Sequence, residues 1–399
     1  MSDKKNGTQL SKGAKKAFSF ILHNRSTTRA ALCNALGIGA VTAGKYTEEL
    51  LSSGMIQEDG FSESSGGRKP IVYSVSDSGH FILCINISTI YCEVAVADFN
   101  LHLKTIRHFS IRHDDNPDVV VGKIWAVYTS VKDELGLSDS SFIGAGLILF
   151  GSIKNEHGVM YKPILQYMNK GWIDYPIIDK LSNLLPMPIF AEKGITATAS
   201  LEYNYGLGRR CHSLLYILCA MNIRSALVLN GQVQGNSPFF EDAFGHMVVD
   251  FDGPECGCGQ YGCLNCYASI NAILEDYRKN VKLGMDTSIK KNPDEVVIED
   301  VCQAASNGDQ SAVLSVKKAA SILGIALANY VNVISPEIVL VSGLLSELSD
   351  LYYETAVTTT KERIIKTANY EVEFYRVGKF QYPLTTSGAS LVLDRYFSD

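Results

Sequence analysis

Residues 245–268 read GHMVVDFDGPECGCGQYGCLNCYA. Three cysteines, Cys256, Cys258 and Cys263, fall within eight positions, and His246 stands ten residues before the first of them. Thiolate and imidazole ligands in that number fit a closed, four-coordinate zinc site. With four protein ligands no position stays open for a reacting water, so the zinc is expected to be structural. The competing reading, a chance gathering of small buried hydrophobes, sits poorly with three cysteines separated by glycine turns. Cys266 lies close to the cluster, and the sequence does not assign it.

The 399-residue chain is too long for one ordinary domain, so two or three units are expected. Apolar content of 46% and charged content of 20% suit a globular protein with a sizeable core. No apolar run reaches the length of a membrane span, and residues 1–7 are polar, without a signal-peptide stretch. A cytoplasmic protein with no membrane partner is expected. Ten cysteines in that setting do not make a disulfide framework. Cys33, Cys84, Cys92, Cys211, Cys219 and Cys302 have apolar neighbours and read as buried hydrophobes. Charge is uneven: residues 1–75 hold ten Lys or Arg against six Asp or Glu, a net +4, while the whole chain is −6. A basic head on an acidic body suits a polyanion-binding module joined to something else. A solvated tail of Lys4, Lys5, Lys12, Lys15 and Lys16 would give the same charge.

The head has a pattern of its own. Residues 13–24 place Ala14, Ala17, Phe18, Phe20, Ile21 and Leu22 at helical spacing. Ser26, Thr27 and Thr28 offer hydroxyl caps for a second helix over 29–36, which Gly37 and Gly39 break. A third helix is expected over 41–53, with Val41, Tyr46, Leu50 and Leu51 inward. Two short strands, 55–59 and 69–75, follow. Helices joined by a tight turn and followed by a hairpin describe a winged helix-turn-helix, whose third helix enters the major groove of double-stranded DNA. Thr42, Lys45 and Tyr46 would face bases or phosphates there. Gly66, Gly67, Arg68 and Lys69 would make a flexible wing tip with two cations for the minor groove or backbone. Small three-helix domains that bind proteins share part of this pattern.

Beyond Gly79 the composition becomes that of an α/β body. Two strand-like runs fill 81–98, a third spans 102–111, a helix covers 118–134 and a buried strand runs from Phe142 to Phe150. A second half begins near Leu214, continues through 226–231, and ends with a helix over 314–332 and a strand over 337–342. The order suggests two related half-domains of an actin-like ATPase fold, a duplication that periodicity alone would not expose.

At this point the chain resembles the ROK family (repressors, open reading frames and sugar kinases). The resemblance runs over nearly the whole length. It is carried by Gly66 to Pro70, Gly144 and Gly146 leading to Gly151, Gly171-Trp172, Glu202 to Gly206, Gly231, Gly245-His246, the cysteine signature with Tyr267 to Ser269, Asn329 to Asn332, and Pro336-Glu337. It implies an α/β architecture of an N-terminal winged helix-turn-helix (1–77) followed by a two-lobed hexokinase and actin type fold (78–200 and 201–399). It also implies zinc on His246, Cys256, Cys258 and Cys263, and a homodimer or homotetramer.

The same resemblance shows what is missing. Where the family's first strand turn has Asp and Gly for metal and phosphate, this chain has Asn86 and Ser88, with Ile90 in place of the usual Thr. The second-lobe stretch 219–226 has no glycine to let backbone approach phosphate. In the frame set by Glu202 and Gly206, the catalytic Asp becomes Gly194. Loss of a base costs roughly 10²–10⁴ in rate, and loss of phosphate positioning removes more. No catalytic residue is therefore expected. The sugar-binding positions become Lys193, Gly194, Ala243, His246 and Asn265, with Asn169 and Glu192 as further ligand candidates. Two carboxylates have gone and Lys193 adds a cation, which favours an anionic effector such as a sugar phosphate or acid sugar over a neutral sugar. The expected function is a DNA-binding repressor of carbohydrate genes, reading a palindromic operator and responding to such an effector or a protein partner. The enzymatic alternative is a ROK sugar kinase with an added N-terminal module.

Overall fold

The computed structural model describes residues 10–62, 69–149, 152–154, 159–161, 169–234, 243–365, 370–376 and 378–397. The chain forms two compact units, Met1–Leu201 with Tyr382–Asp399, and Glu202–Gln381. The resemblance places all of 201–399 in the second lobe; residues 382–397 instead pack in the first unit.

That unit begins with α1 (Lys12–Asn24), β1 (Ser26–Thr28), α2 (Arg29–Leu36), α3 (Ala40–Ser52), β2 (Ile56–Phe61) and β3 (Ile71–Val75). The strands form an antiparallel sheet in the order β1-β3-β2. Ser11 and Thr28 cap α1 and α2 by accepting from the amides of Ala14 and Ala31. Gly37 ends α2 at φ 63°, a left-handed cap that costs glycine nothing. The Arg29 guanidinium donates to Thr47 Oγ1 at 2.9 Å and lies over the Tyr73 ring, tying α2 to α3 and β3. Strand β1 escaped sequence reading because its three residues also serve as the α2 cap. The inward face of α3 also differs from expectation. Ala43, Gly44, Thr47 and Leu50 are buried, while Val41 is 89% exposed. Small residues let α1 and α2 approach, and the helix turns its one β-branched apolar residue outward. The tip residues Gly66, Gly67 and Arg68 lie outside the described residues, as do Phe150 and Gly151.

Next come β4 (Phe81–Ile87), β5 (Tyr91–Ala97), β6 (Leu103–Ser110), α4 (Pro117–Glu134), β7 (Phe142–Leu149), the short pair β8 (Ser152–Lys154) and β9 (Val159–Tyr161), α5 (Ile177–Ser182), β10 (Ile189–Lys193) and α6 (Gly194–Tyr205). The second unit holds β11 (Ser213–Cys219), β12 (Ile223–Leu229), β13 (Gln232–Gln234), α7 (Asn265–Ala268), α8 (Ile270–Lys282), α9 (Ile298–Ser306), α10 (Gln310–Ile334), β14 (Ile338–Ser342), α11 (Leu344–Leu348), α12 (Asp350–Arg363) and β15 (Glu373–Arg376). The final helix, α13 (Pro383–Tyr396), returns to the first unit.

The two five-stranded sheets, β10-β7-β4-β5-β6 and β15-β14-β11-β12-β13, have one topology. In each, the first strand pairs antiparallel with the second and the second with the third. The first also pairs parallel with a fourth, and the fourth with a fifth. Parallel neighbours require helical crossovers, supplied by α4 and α5 in one half and by α7–α12 in the other. The central strands are buried at all but single positions, with Tyr128 and Trp172 filling one core and Tyr277 and Tyr352 the other. One sequence expectation needs correcting: α10 is long and apolar enough, by composition, to cross a membrane. Sixty-one per cent of that window is buried, so its apolar surface is spent on the core.

Helix α13 lies on β7 so closely that a Cβ on Gly146 would overlap the Gly388 carbonyl. This gives the Gly144/Gly146 pair its reason. Gly146→Ala is expected to destabilise the chain by about 3 kcal/mol or more, because the obstructing atoms are backbone. A urea midpoint unchanged from wild type would show that the helix can retreat at no cost.

Candidate metal centre and ligand residues

Backbone bonds draw the cysteine loop together. Leu264 N–H donates to Met247 O at 2.8 Å and Val249 N–H to Gly262 O at 2.9 Å, laying the His246 segment beside the Cys263 segment. Cys256 N–H donates to Gln260 O and Gly259 N–H to Cys256 O, closing the turn that carries Cys258. Gly262 sits at φ 67°, where a Cβ would overlap the Asp250 carbonyl, so no other residue fits. Tyr267 OH donates to Asp250 Oδ2 at 2.8 Å and braces the same loop.

The ligand atoms of His246, Cys256, Cys258 and Cys263 all lie within 4.8 Å of one another, a group able to hold a metal ion. Two separations test the fit. Zinc bonds sulfur at about 2.3 Å and nitrogen at about 2.0–2.1 Å, so tetrahedral geometry sets S···S near about 3.75 Å and S···N near about 3.55 Å. Cys258 Sγ and Cys263 Sγ are 3.7 Å apart, and Cys256 Sγ lies 3.6 Å from His246 Nδ1. Burial, with the Arg224 cation nearby, holds the His246 imidazole below its ordinary range, favouring the neutral ligating form. Burial pushes the Cys256 thiol up, but hydrogen bonds from Cys258, Cys263 and Cys266 outweigh it and leave the group below the usual thiol value. Burial drives Cys263 up to about 12, as it does Cys84 and Cys219 in the core. Cys92 and Cys302 are buried as expected, whereas Cys33 and Cys211 are half-buried.

The other ligand candidates divide between the units. In the first, Asn169 caps a short turn: its Oδ1 accepts from Gly171 N–H at 2.7 Å and its Nδ2 donates to Asp114 O. Glu192 lies near the end of β10, 3.7 Å from the Arg395 guanidinium, and accepts the Lys193 amide. Lys193 is buried. In the second unit, Asn265 Oδ1 accepts from Ile223 N–H at 2.6 Å, so its carbonyl already holds the start of β12.

Asn86, Ser88 and Gly194 are likewise engaged within the first unit. Asn86 Nδ2 donates to Glu93 Oε2 at 3.1 Å across the β4–β5 pair, and Thr385 of α13 donates to the same oxygen. Ser88 Oγ accepts from Ile90 and Tyr91, closing its own turn. A Cβ at Gly194 would come within 2.9 Å of Leu384 Cδ2 and 3.6 Å of Ile148, an apolar place for a carboxylate base. The Glu202 and Gly206 pair is structural. The buried Glu202 carboxylate accepts from Leu207 and Lys379 amides, and a Cβ on Gly206 or Gly378 would overlap it.

The N-terminal site residues separate by role. Lys45 is exposed and Thr42 half-buried on α3, and Lys69 is exposed before β3. Tyr46 packs on α1, where a Cβ on Gly13 would strike its ring. Val41, read as inward, shares the exposed face with Lys45 one turn on. Its signal was its place beside the helix start, since side chains there have no preceding turn to pack on.

Comparison with known proteins agrees with this architecture. The ROK family profile matches residues 82–394, and the chain belongs to that family. A putative xylose repressor from Caldicellulosiruptor sp. (strain Rt8B.4) is 24% identical, the alignment covering 84% of this chain and 83% of that protein. The crystal structure of a ROK family transcriptional regulator, a homologue of the E. coli MLC protein, superposes with a TM-score of 0.81 at 21% identity. It covers 97% of this chain and 96% of that one. The ROK hexokinase of Thermus thermophilus superposes at 0.64 and 21% identity, covering 99% of its own chain but only 80% of this one.

Gly262→Ala is expected to lower both metal content and unfolding temperature, and Cys263→Ser to abolish metal uptake. Elemental analysis of the purified full chain, with thermal unfolding alongside, checks both.

Proposed function

We propose that this protein is a DNA-binding transcriptional repressor of carbohydrate-related genes. Residues 1–77 would form its winged helix-turn-helix and the rest a kinase-like body that no longer catalyses. The observation that carries the reading is the exposed start of α3. Val41, Thr42 and Lys45 stand on one surface of a helix whose other faces are fixed by Arg29, Thr47 and Tyr46. Such a helix end can enter a major groove, with Val41 against a thymine methyl, Thr42 on a base edge and Lys45 on a base or phosphate. Tyr46 braces α3 against α1 and would contribute to DNA contact from the edge of that face. Arg68 and Lys69 would supply wing cations. Paired modules in a homodimer or homotetramer would match a palindromic operator. That relatives are named repressors, and that the hexokinase leaves a fifth of this chain uncovered, supports the same reading.

In the body, the His246, Cys256, Cys258 and Cys263 group would hold structural zinc, joining the His246 turn to α7. The occupied positions at Asn86, Ser88 and Gly194 support loss of phosphoryl transfer. The effector candidates, taken unit by unit, would be Lys193 with Glu192 and Asn169 in the first, and His246 and Asn265 in the second. The Lys193 cation favours a sugar phosphate or acid sugar.

Lys45→Ala is expected to weaken operator binding and to reduce the salt slope of log K by about 1 if it contacts phosphate. Selection of bound DNA from a random pool, followed by titration at several salt concentrations, measures this; unchanged affinity refutes the assigned face. Calorimetry should favour phosphorylated or acid sugars over neutral hexoses, and Lys193→Met should remove that preference. Turnover in an ATP-coupled assay over several hexoses would support the kinase alternative instead.

A further inference from the structure

The apolar stripe of the N-terminal sheet runs on past the core that buries it. Strand alternation puts Ile71, Tyr73 and Val75 on one face of β3. Across the ladder Ile56 stands opposite Val75 and Phe61 opposite Ile71, so both β2 residues share that face. Val75, Ile56 and Tyr73 are buried, Ile71 is half-buried and Phe61 is 66% exposed. Helices α1 and α3 pack on this sheet and bury one end of the stripe, leaving the other bare. A bulge precedes Phe61. Asp59 and Gly60 stand against the single residue Val72, and Gly60 takes φ 82°, which glycine reaches freely. Such a bulge bends a strand and re-aims the side chain beside it. The strands stay paired beyond it, with Ser62 N–H donating to Pro70 O at 3.0 Å. Phe61 thus stands on paired backbone, with Pro70 and the exposed Lys69 next along the facing strand.

An aromatic ring and a cation at the far end of a hairpin are the parts of a minor-groove wedge: the cation meets phosphate and the ring enters between base pairs. We propose that Phe61 is such a wedge, and that binding bends the duplex. The inference rests on the reading of residues 1–77 as a DNA-binding module. The ring unstacks one base step and kinks the duplex toward the major groove. Pyrimidine–purine steps unstack most easily, so the wing selects such a step without a hydrogen bond to any base. Glu58 and Asp59, both exposed behind the bulge, repel phosphate and limit how far the hairpin enters.

Operator duplexes recovered from random DNA by the full-length protein, labelled at both ends for energy transfer, test this. The wild-type complex should be bent by about 20–90°. Phe61→Ala should bind roughly 10-fold more weakly. Its duplex should be straighter, and the salt slope of log K should be unchanged, because an apolar contact releases no counterions. Phe61→Leu, which keeps an apolar wedge, should retain most of the bend. A wild type that recovers no DNA overturns the module reading and this inference together. A straight wild-type complex, or a Phe61→Ala complex as tight and as bent as wild type, overturns the wedge alone. So does a Phe61→Ala salt slope reduced by about 1, the mark of a lost phosphate contact. If Phe61→Ala does not fold, 2-aminopurine scanned through the duplex decides on wild type. One step should brighten as it unstacks, and no brightening at any step overturns the wedge.

Discussion

The contact of α13 with the first sheet is the constraint on which that unit depends. Two glycines, Gly146 and Gly388, bring strand and helix backbones together where side chains would hold them apart. Once seated, α13 touches nearly every position that matters there. Thr385 donates to Glu93, Leu384 lies against Gly194, and Arg395 reaches Glu192. At its end, Phe397 packs 4.2 Å from Phe18 of α1, ring centroid to centroid, and Lys15 lies over the Tyr396 ring. A segment that follows the whole second unit in sequence therefore joins the N-terminal module to the first sheet.

The aromatic junction at that end has further members. Phe99, in the turn after β5, meets both Phe18 and Phe397 edge-on, and His80 stacks on Phe99 while its Nε2 lies 2.7 Å from Ser53 O. Aromatic pairs at these distances contribute roughly 0.5–1.5 kcal/mol each beyond simple burial. The three-helix module is thus anchored to the body by packing rather than hung on a linker. A change in the first sheet has a physical route to α1 through α13.

Much of the site was legible in the sequence because it lies within one short segment. His246, Cys256, Cys258 and Cys263 needed only spacing to be recognised, and glycines such as Gly262 marked where the chain must turn. Asn86, Ser88 and Gly194 were legible as departures from the pattern that the resemblance implies. The structure adds what fills the places: Glu93 and Thr385 hold Asn86, and Leu384 closes on Gly194. The outward turn of Val41 and the double duty of Tyr46 were not legible. Helical spacing gives a residue's angle about the axis, but not which neighbour arrives on that face.

The sequence by itself determined the local facts: the hydroxyl cap at Thr28, the stop at Gly37, the metal-ligand spacing, and the alternation of strand and helix that defines the family's α/β body. These depend on interactions within a few residues, so order along the chain suffices. Only the tertiary structure decided that the two sheets share one strand order, that α10 is a core helix, and that residues 382–397 belong to the first unit. Each of those rests on surfaces far apart in sequence meeting to bury apolar area. Periodicity shows which surfaces seek burial, and packing selects the partner.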